Sequence, residues 1–253
     1  MKKIPALFFI FTFPCSIFCF DISMKEQYDA GRWIAVSQDN KLTVIGVSNP
    51  MTRRESEIIA AKEDAARKTA MYYGIQASVE ITNAIGSGFF DYSQNSNIEI
   101  TYDADYEKFI DQLSYNPQND VLITSEAVFI RFKHKTMAAD ISGRALSGTS
   151  RPDWTRNRDK FEFEGFITAV GFSQNQRRLK DTIFKSAEDA VTRMIADIST
   201  SVVTREITEA GQGSLSLVHF KSEGRLNNFQ IIEMWIEPET RSVYTLAIAR
   251  IGA

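Results

Sequence analysis

Two pairs of adjacent carboxylates are the residues best suited to chemistry in this 253-residue sequence, Glu63-Asp64 and Glu188-Asp189. Two carboxylates that converge on one substrate can act as general acid and general base, as in hydrolases. Adjacent residues on a helix point about 100° apart, so the two acids of a pair diverge. We therefore expect both pairs to lie on solvated helix faces, and we predict that the protein is not an enzyme.

The remaining chemical side chains are few. His134 and His219 lie in separate strand-like segments, and "FKHKT" places cations rather than metal ligands beside the first of them. Cys15 and Cys19 both fall in the N-terminal leader, which leaves no thiol chemistry and no cysteine-ligated metal for the rest of the chain. The sequence therefore predicts no metal site and no cofactor.

The carboxylate pairs belong to a longer repeat. The stretch "LTVIGVSNPMTRRESEIIAAKEDAA" at 42–66 aligns without a gap on "ITAVGFSQNQRRLKDTIFKSAEDAV" at 167–191, a shift of 125 positions. The alignment places Gly46 on Gly171, each inside a short apolar strand. Since a glycine within a strand marks a bulge or a close backbone approach, we assign both glycines a structural role.

The elements around the glycines predict the fold class. An apolar stripe at helical spacing follows each strand, over 52–77 and 176–200, and hairpin patterns follow each helix. We predict an α+β protein of two duplicated small domains, at 21–145 and 150–253. Each is an antiparallel sheet of three or four strands with one long helix packed across a face. Three tryptophans are expected to pack beneath the sheets as structural residues: Trp33, Trp154 and Trp235.

The first domain carries an insertion at about 86–120 that is rich in aromatic and turn-forming residues. The stretches "GSGFFDYSQNSN" and "SYNPQND" are polar and turn-rich, and a short helix is expected near 106–113. Aromatic residues without a clear period in such a sequence indicate a contact surface. The candidate interaction residues are Phe89, Phe90, Tyr92 and Tyr102.

The N-terminus has the pattern of a secretory signal peptide, which we place at 1–19. Lys2 and Lys3 precede an apolar run without charge that extends to Phe20. A second interpretation makes Cys19 a lipidated N-terminus, although Phe18 is larger than the residue that normally precedes a lipidated cysteine. A third is a retained anchor helix. Removal of the leader leaves 27 basic and 32 acidic residues, a balance that argues against nucleic-acid binding.

The second half of the chain resembles a family of bacterial envelope proteins. Its motifs are Pro152-x-Trp154, the strand Ala169-Val170-Gly171, an alanine-rich helix, and "EMWIEPETRSVYTLA" from Glu233 to Ala247. These are similar to the Lpp-twenty lipoprotein family and to the related N-terminal domain of flagellar assembly protein T. Glu237 stands where the family usually has Asp. The resemblance covers about 150–253, and it implies a protein without catalytic activity and a lipid anchor at the N-terminus.

These observations predict an exported protein of the periplasm or of the periplasmic face of the outer membrane. Its expected role is protein binding, as a scaffold in cell-envelope or flagellar assembly. The expected partners are envelope or flagellar proteins, including a second copy of itself, with membrane contact only through an N-terminal lipid. The alternative is a periplasmic module that binds a small ligand in a pocket between the two domains.

Overall fold

A computed structural model describes residues 40–86, 92–139, 151–156, 163–198, 201–208, 214–237 and 239–252. Side chains are described in these ranges except at 81–86, 92–96, 201–208 and 214–220. The described part consists of two antiparallel sheets and two long helices, which confirms the predicted α+β class. Trp33, Cys19, Phe89 and Phe90 lie outside the described residues.

The described residues of the first half form two helices and six strands. In chain order they are β1 (Lys41–Ser48), α1 (Arg54–Tyr73), β2 (Ile75–Gly86), β3 (Tyr92–Tyr102), α2 (Glu107–Ile110), β4 (Leu113–Ser114), β5 (Val121–Ile123) and β6 (Val128–Ala138). Helix α1 is shorter than the predicted helix at 52–77. It ends at Tyr73, where the Gly74 amide makes the last helical hydrogen bond to the Ala70 carbonyl, and β2 starts at Ile75. The region 86–120 holds an 11-residue strand, β3, rather than turns alone.

The second half repeats this order in a shorter form. After a single 3-10 turn (Asp153–Thr155) come β7 (Ile167–Ser173), α3 (Leu179–Ile198), β8 (Ser201–Thr208), β9 (Ser214–Ile236) and β10 (Val243–Ile251). Helices α1 and α3 each have 20 residues, and their first residues are 125 positions apart. The loop before each helix is held in the same way. The Met51 amide donates to Glu57 at 2.7 Å, and the Gln176 amide donates to Thr182 at 3.0 Å.

A four-stranded sheet is built from the first half alone. Strand β6 pairs with β1 on one side and with β4 and β5 on the other. Helix α1 covers one face, where its alanines allow a close approach to β1. The core between them consists of buried apolar residues: Leu42, Val44, Ala61, Ala65, Ala66, Ala70, Tyr72, Ala104, Phe109, Leu113, Val128, Ile130 and Phe132.

A six-stranded sheet combines strands of both halves, whereas three or four strands from one half were expected. Its order is β3-β2-β9-β10-β7, with β8 also paired to β9. Strand β9 has 23 residues, and β10 covers only its second part, from Leu226 to Ile236. The first part of β9 extends beyond β10, and it pairs with β8 on one side and β2 on the other. The β2–β3 hairpin of the first half thus completes the sheet of the second half.

Helix α3 packs on the six-stranded sheet along the stripe that the sequence predicts. Its buried residues are Leu179, Thr182, Ile183, Ser186, Ala187, Ala190, Val191, Met194 and Ile195. Met194 and Ile195 contact a core that also includes Met71, Ile75, Val79 and Leu226. Because Met71 and Ile75 belong to the first half and Leu226 to the second, this core joins the two halves.

Candidate functional site

The outer edge of β1 is closed by a buried ion pair from α1. The Val47 amide donates to Asp64 Oδ2 at 2.8 Å, and Lys68 Nζ donates to the Ile45 carbonyl at 2.8 Å and to Asp64 Oδ2 at 2.7 Å. Ile45 and Val47 both direct their backbone groups away from β6, because such groups alternate in direction along a strand. The two side chains therefore occupy the place of a neighbouring strand. Only 2% of the Asp64 side chain and 7% of the Lys68 side chain are exposed.

The outer edge of β7 carries the equivalent contact in a more open form. The Phe172 amide donates to Asp189 Oδ2 at 2.8 Å, and Arg193 Nε donates to the same oxygen at 2.7 Å. Both side chains are partly exposed, 31% for Asp189 and 48% for Arg193. The expectation that the acid pairs lie on solvated helix faces is thus wrong for Asp64, which is buried. For Asp189 it is incomplete, because this partly exposed side chain also binds a strand amide. Each carboxylate accepts a hydrogen bond from a backbone amide at the outer edge of a strand and so caps that edge.

Gly46 lies where α1 crosses β1, and Gly171 lies where α3 crosses β7. A Cβ atom at Gly46 would overlap the carbonyl oxygen of Ala61, and one at Gly171 would overlap the carbonyl oxygen of Ser186. Both contacts are with helix backbone, which a side-chain movement cannot relieve. The absence of a side chain at these two positions therefore sets how close each helix lies, and it brings each capping aspartate within reach of the strand.

Trp154 is held by a buried carboxyl group on β9. Its Nε1 donates to Glu233 Oε2 at 2.6 Å, and only 2% of Trp154 and 8% of Glu233 are exposed. Burial raises the pKa of the Glu233 carboxyl to about 7, against the opposing effect of the Trp154 hydrogen bond. Glu233 and Trp154, two residues that carry the family resemblance, are thus direct partners across 79 positions of sequence.

An aromatic cluster continues from this contact toward β7. The Trp235 and Tyr244 ring centroids are 5.5 Å apart, and those of Tyr244 and Phe172 are 4.9 Å apart. The Arg151 guanidinium lies 5.2 Å from the Trp235 centroid and 4.9 Å from that of Tyr244. It also donates from Nη2 to the Tyr244 hydroxyl at 2.9 Å. This cluster fixes the segment 151–156 on the sheet face opposite α3.

Strand β3 forms the outer edge of the six-stranded sheet, and it has no cap of the kind seen on β1 among the described side chains. It pairs with β2 in an unbroken register of 11 residue pairs, from Ile75–Tyr102 to Ile85–Tyr92. Its sequence, "YSQNSNIEITY", contains no Pro and no Lys and a single charge, Glu99. Asn97, Ile98 and Glu99 are exposed, Ile98 to 46%. Proteins normally protect such edges with prolines, lysines, bulges or short strands.

The aromatic residues predicted as an interaction surface fall in and next to β3. Tyr92 begins the strand, and its side chain lies outside the described set. Tyr102 ends the strand and packs against the cores of both sheets. The pKa of Tyr102 is raised above its ordinary value. Burial is the main cause and the nearby Glu188 carboxylate adds to it, while the Arg67 guanidinium acts in the opposite direction. Tyr102 thus lies at the junction of the halves, and the exposed side chains are those in the middle of the strand.

A narrow crevice separates the two sheets where β1 faces the second part of β9. The space between its walls is small and partly open to solvent. Residues 42–45 of β1, residues 229–234 of β9, and Lys68 and Tyr72 of α1 line it. Its walls are mainly apolar and come from both halves of the chain.

His134 is buried beside Phe109 in the first half. Its Nδ1 accepts the backbone amides of Thr136 at 3.2 Å and Met137 at 2.9 Å, which places the ring proton of the neutral form on Nε2. Burial lowers the pKa of His134. The side chain of His219 lies outside the described set. Among the residues whose side chains are described, no group of three or more His, Cys, Asp or Glu is arranged to hold a metal ion.

None of the helices in the described ranges is both long and apolar enough to cross a membrane. In comparisons with known proteins, the chain matches no family model, no curated protein and no solved structure.

Proposed function

We propose that the chain is an exported, non-enzymatic protein of the cell envelope that binds another protein by strand addition at the outer edge of β3. The observation that carries this proposal is the edge itself: 11 residues in regular register, with exposed side chains at Asn97, Ile98 and Glu99. In strand addition, the unpaired backbone groups of an edge strand bind an extended segment of a partner, and the alternating side chains provide specificity.

The contrast with the other edges supports this assignment. On β1, Asp64 and Lys68 occupy backbone groups that an incoming strand would need. On β7, Asp189 occupies the Phe172 amide. A fold that closes two edges with side chains from its helices, and leaves its longest outer strand without a charged cap among the described residues, favours that strand as the binding surface.

Export and the envelope location rest on sequence. The leader at 1–19 has the charge and apolar pattern of a signal peptide, and the chain beyond it is mildly acidic. The proposal also draws on the resemblance of the second half to the Lpp-twenty family, and the residues that carry this resemblance contact one another. Trp154 binds Glu233, Trp235 packs on Tyr244, and the Thr240 hydroxyl donates to Glu237 at 2.6 Å.

The proposal also includes the duplication of one β-α-β-β-β unit. Its support is the repetition of contacts at the same spacing. The strand amide and the aspartate that caps it are 17 positions apart in each half, at Val47–Asp64 and at Phe172–Asp189. The glycine and the helix carbonyl that it meets are 15 positions apart in both halves. Duplication of one unit would give the same two spacings in both halves.

A photo-cross-linking amino acid at position 97 tests the strand-addition proposal in the cells that make the protein. We expect it to capture one defined partner, and a matched substitution of Gln118, which is exposed on a loop, to capture none. Capture at both positions alike, or at neither, would contradict the proposal.

Proline variants at neighbouring positions then test the backbone mechanism. Successive residues of β3 direct their amides toward β2 and away from it, so only one of Asn97→Pro and Ile98→Pro removes an outward donor. With the photo-cross-linking amino acid placed at the exposed position 99, that variant should keep the native circular dichroism spectrum and lose capture. The other should disturb the β2–β3 pairing. Retention of capture in the natively folded variant would refute the use of backbone groups.

The crevice between β1 and β9 favours a second candidate function, the binding of a small apolar ligand between the halves. A series of apolar ligands, such as fatty acids and indoles, should raise the melting temperature of the wild type. Thr43→Phe enlarges a side chain that lines the crevice from β1 and should abolish that shift, while Ile59→Phe on the exposed face of α1 should not. An equal shift in both variants would place the ligand elsewhere.

A further inference from the structure

We infer that the β3 edge binds the β3 edge of a second copy of this chain, antiparallel and around a two-fold axis at Asn97. This inference rests on the proposed use of β3 for strand addition and names the partner. The resulting pair of chains would share one continuous sheet, in which each copy contributes its six strands.

The sequence of β3 permits this register. Around an axis at Asn97, the facing residues of the two copies are Tyr92 and the partner subunit's Tyr102, Ser93 and the partner subunit's Thr101, Gln94 and the partner subunit's Ile100, Asn95 and the partner subunit's Glu99, and Ser96 and the partner subunit's Ile98. The only charge on the strand, Glu99, therefore meets the amide Asn95 of the partner subunit. Like charges do not face each other anywhere in the register, so the destabilisation that like charges cause when directly opposite is avoided.

The same register also covers Ile98, the exposed apolar residue near the middle of the strand. Ile98 is exposed to 46%, although its neighbour in the sheet, Val79, is buried in the core beneath α3. Around the axis at Asn97, Ile98 and the partner subunit's Ile98 lie diagonally across the dyad. Diagonal neighbours in antiparallel strands are about 7–8 Å apart, within contact range of long side chains. Pairing thus removes an exposed isoleucine from water on each copy.

A β3–β3 contact is also favoured because it joins two copies into a closed dimer and leaves no further β3 edge free. A contact of β3 with β7 of the next copy would join unlike edges, and such heterologous contacts continue into rings or filaments. It would also have to displace Asp189 from the Phe172 amide. Pairing of like edges closes at two copies, and both edges lack a charged cap among the described residues.

Charge substitution at Asn97 tests the axis directly, because only in the proposed dimer does Asn97 face the partner subunit's Asn97. The wild type should be a concentration-dependent dimer by analytical ultracentrifugation, with a dissociation constant on the order of 1–100 µM, as small interfaces give. Asn97→Lys and Asn97→Glu should each weaken the dimer at least about tenfold, since they place like charges opposite each other. An equimolar mixture of the two variants should restore a dimer that contains one copy of each.

The controls separate folding from association. Asn97 is exposed, so both variants should keep the native circular dichroism spectrum. The exposed loop residue Gln118 receives the same two substitutions, and these should leave the dimer unchanged. The outward-directed backbone amides among residues 97–101 should exchange more slowly with solvent in the dimer than in either Asn97 variant alone.

The outcomes distinguish this inference from the proposed function. A wild type that stays monomeric to about 500 µM, or a dimer that Asn97→Lys leaves intact, overturns the two-fold β3 contact. If position 97 then still captures a different protein in cells, strand addition stands and the partner is another chain. If position 97 captures nothing in addition, both proposals fail.

Discussion

The buried carboxyl group of Glu233 should make the stability of the protein fall as the pH rises. Its pKa is about 7 in the folded state against 4.5 for an ordinary glutamate. The folded state therefore holds the proton more tightly than the unfolded state. The contribution is favourable below about pH 4.5 and is lost as the pH rises through 7. Between about pH 5 and about pH 8, this group alone should lower the free energy of unfolding by about 2.5 kcal/mol.

Glu233→Gln isolates this effect, because the glutamine carbonyl can still accept the Trp154 Nε1–H and carries no charge. The measurement is urea unfolding followed by far-UV circular dichroism, for wild type and variant, from about pH 5 to about pH 8. The difference between the two should change by about 2.5 kcal/mol in favour of the variant as the pH rises. Glu239→Gln, at an exposed position, serves as the control and should run parallel to the wild type. A parallel curve for Glu233→Gln would refute the link between burial and proton affinity.

Three further predictions follow from the packing. Asp64→Asn leaves Lys68 buried without its counter-charge and should destabilise the fold by about 3–5 kcal/mol in urea unfolding, whereas Asp189→Asn at the exposed counterpart should lose less than about 1 kcal/mol. Equal losses would show that burial does not set the difference. Gly171→Ala should lower the free energy of unfolding by about 2 kcal/mol or more, because its Cβ meets helix backbone; a neutral effect would mean that α3 can move away. Burial lowers the pKa of His134, so the stability that its neutral form provides is present above about pH 6.5 and is lost as the pH falls through the folded-state value. His134→Asn should remove this acid dependence in pH-dependent unfolding, and an unchanged curve would contradict it.

The local elements were predictable from the sequence because local signals determine them. The apolar stripes indicated both long helices, and "EPETRS" indicated the turn between β9 and β10. Gly46 and Gly171 indicated a close approach of backbones, since a glycine weakens a strand unless a neighbouring element needs the space. In each case the signal and the element lie within about 25 residues of each other.

The pairing of the hairpins was not predictable, because it depends on contacts between distant segments. Nothing in the residues of β2 indicates that Ile75 lies opposite Leu226. The alternation of Ile98, Ile100 and Tyr102 was a usable signal for β3, but Ser, Asn and Gln in its first part resemble turn residues. The role of Asp64 was also hidden, because a buried acid and a solvated acid look alike in sequence until their partners are known.

The sharing of a sheet between the two halves has a consequence for when the protein can fold. Ile75 can pair with Leu226 only after Leu226 has been synthesised, about 150 residues later. Contacts over such a separation form slowly, because closing the intervening chain has a large entropic cost. Until β9 is available, the β2–β3 hairpin has no neighbour on its inner side and cannot complete a core with α3. The β2–β3 hairpin therefore stays without that neighbour while the whole intervening chain, which includes α3, is synthesised.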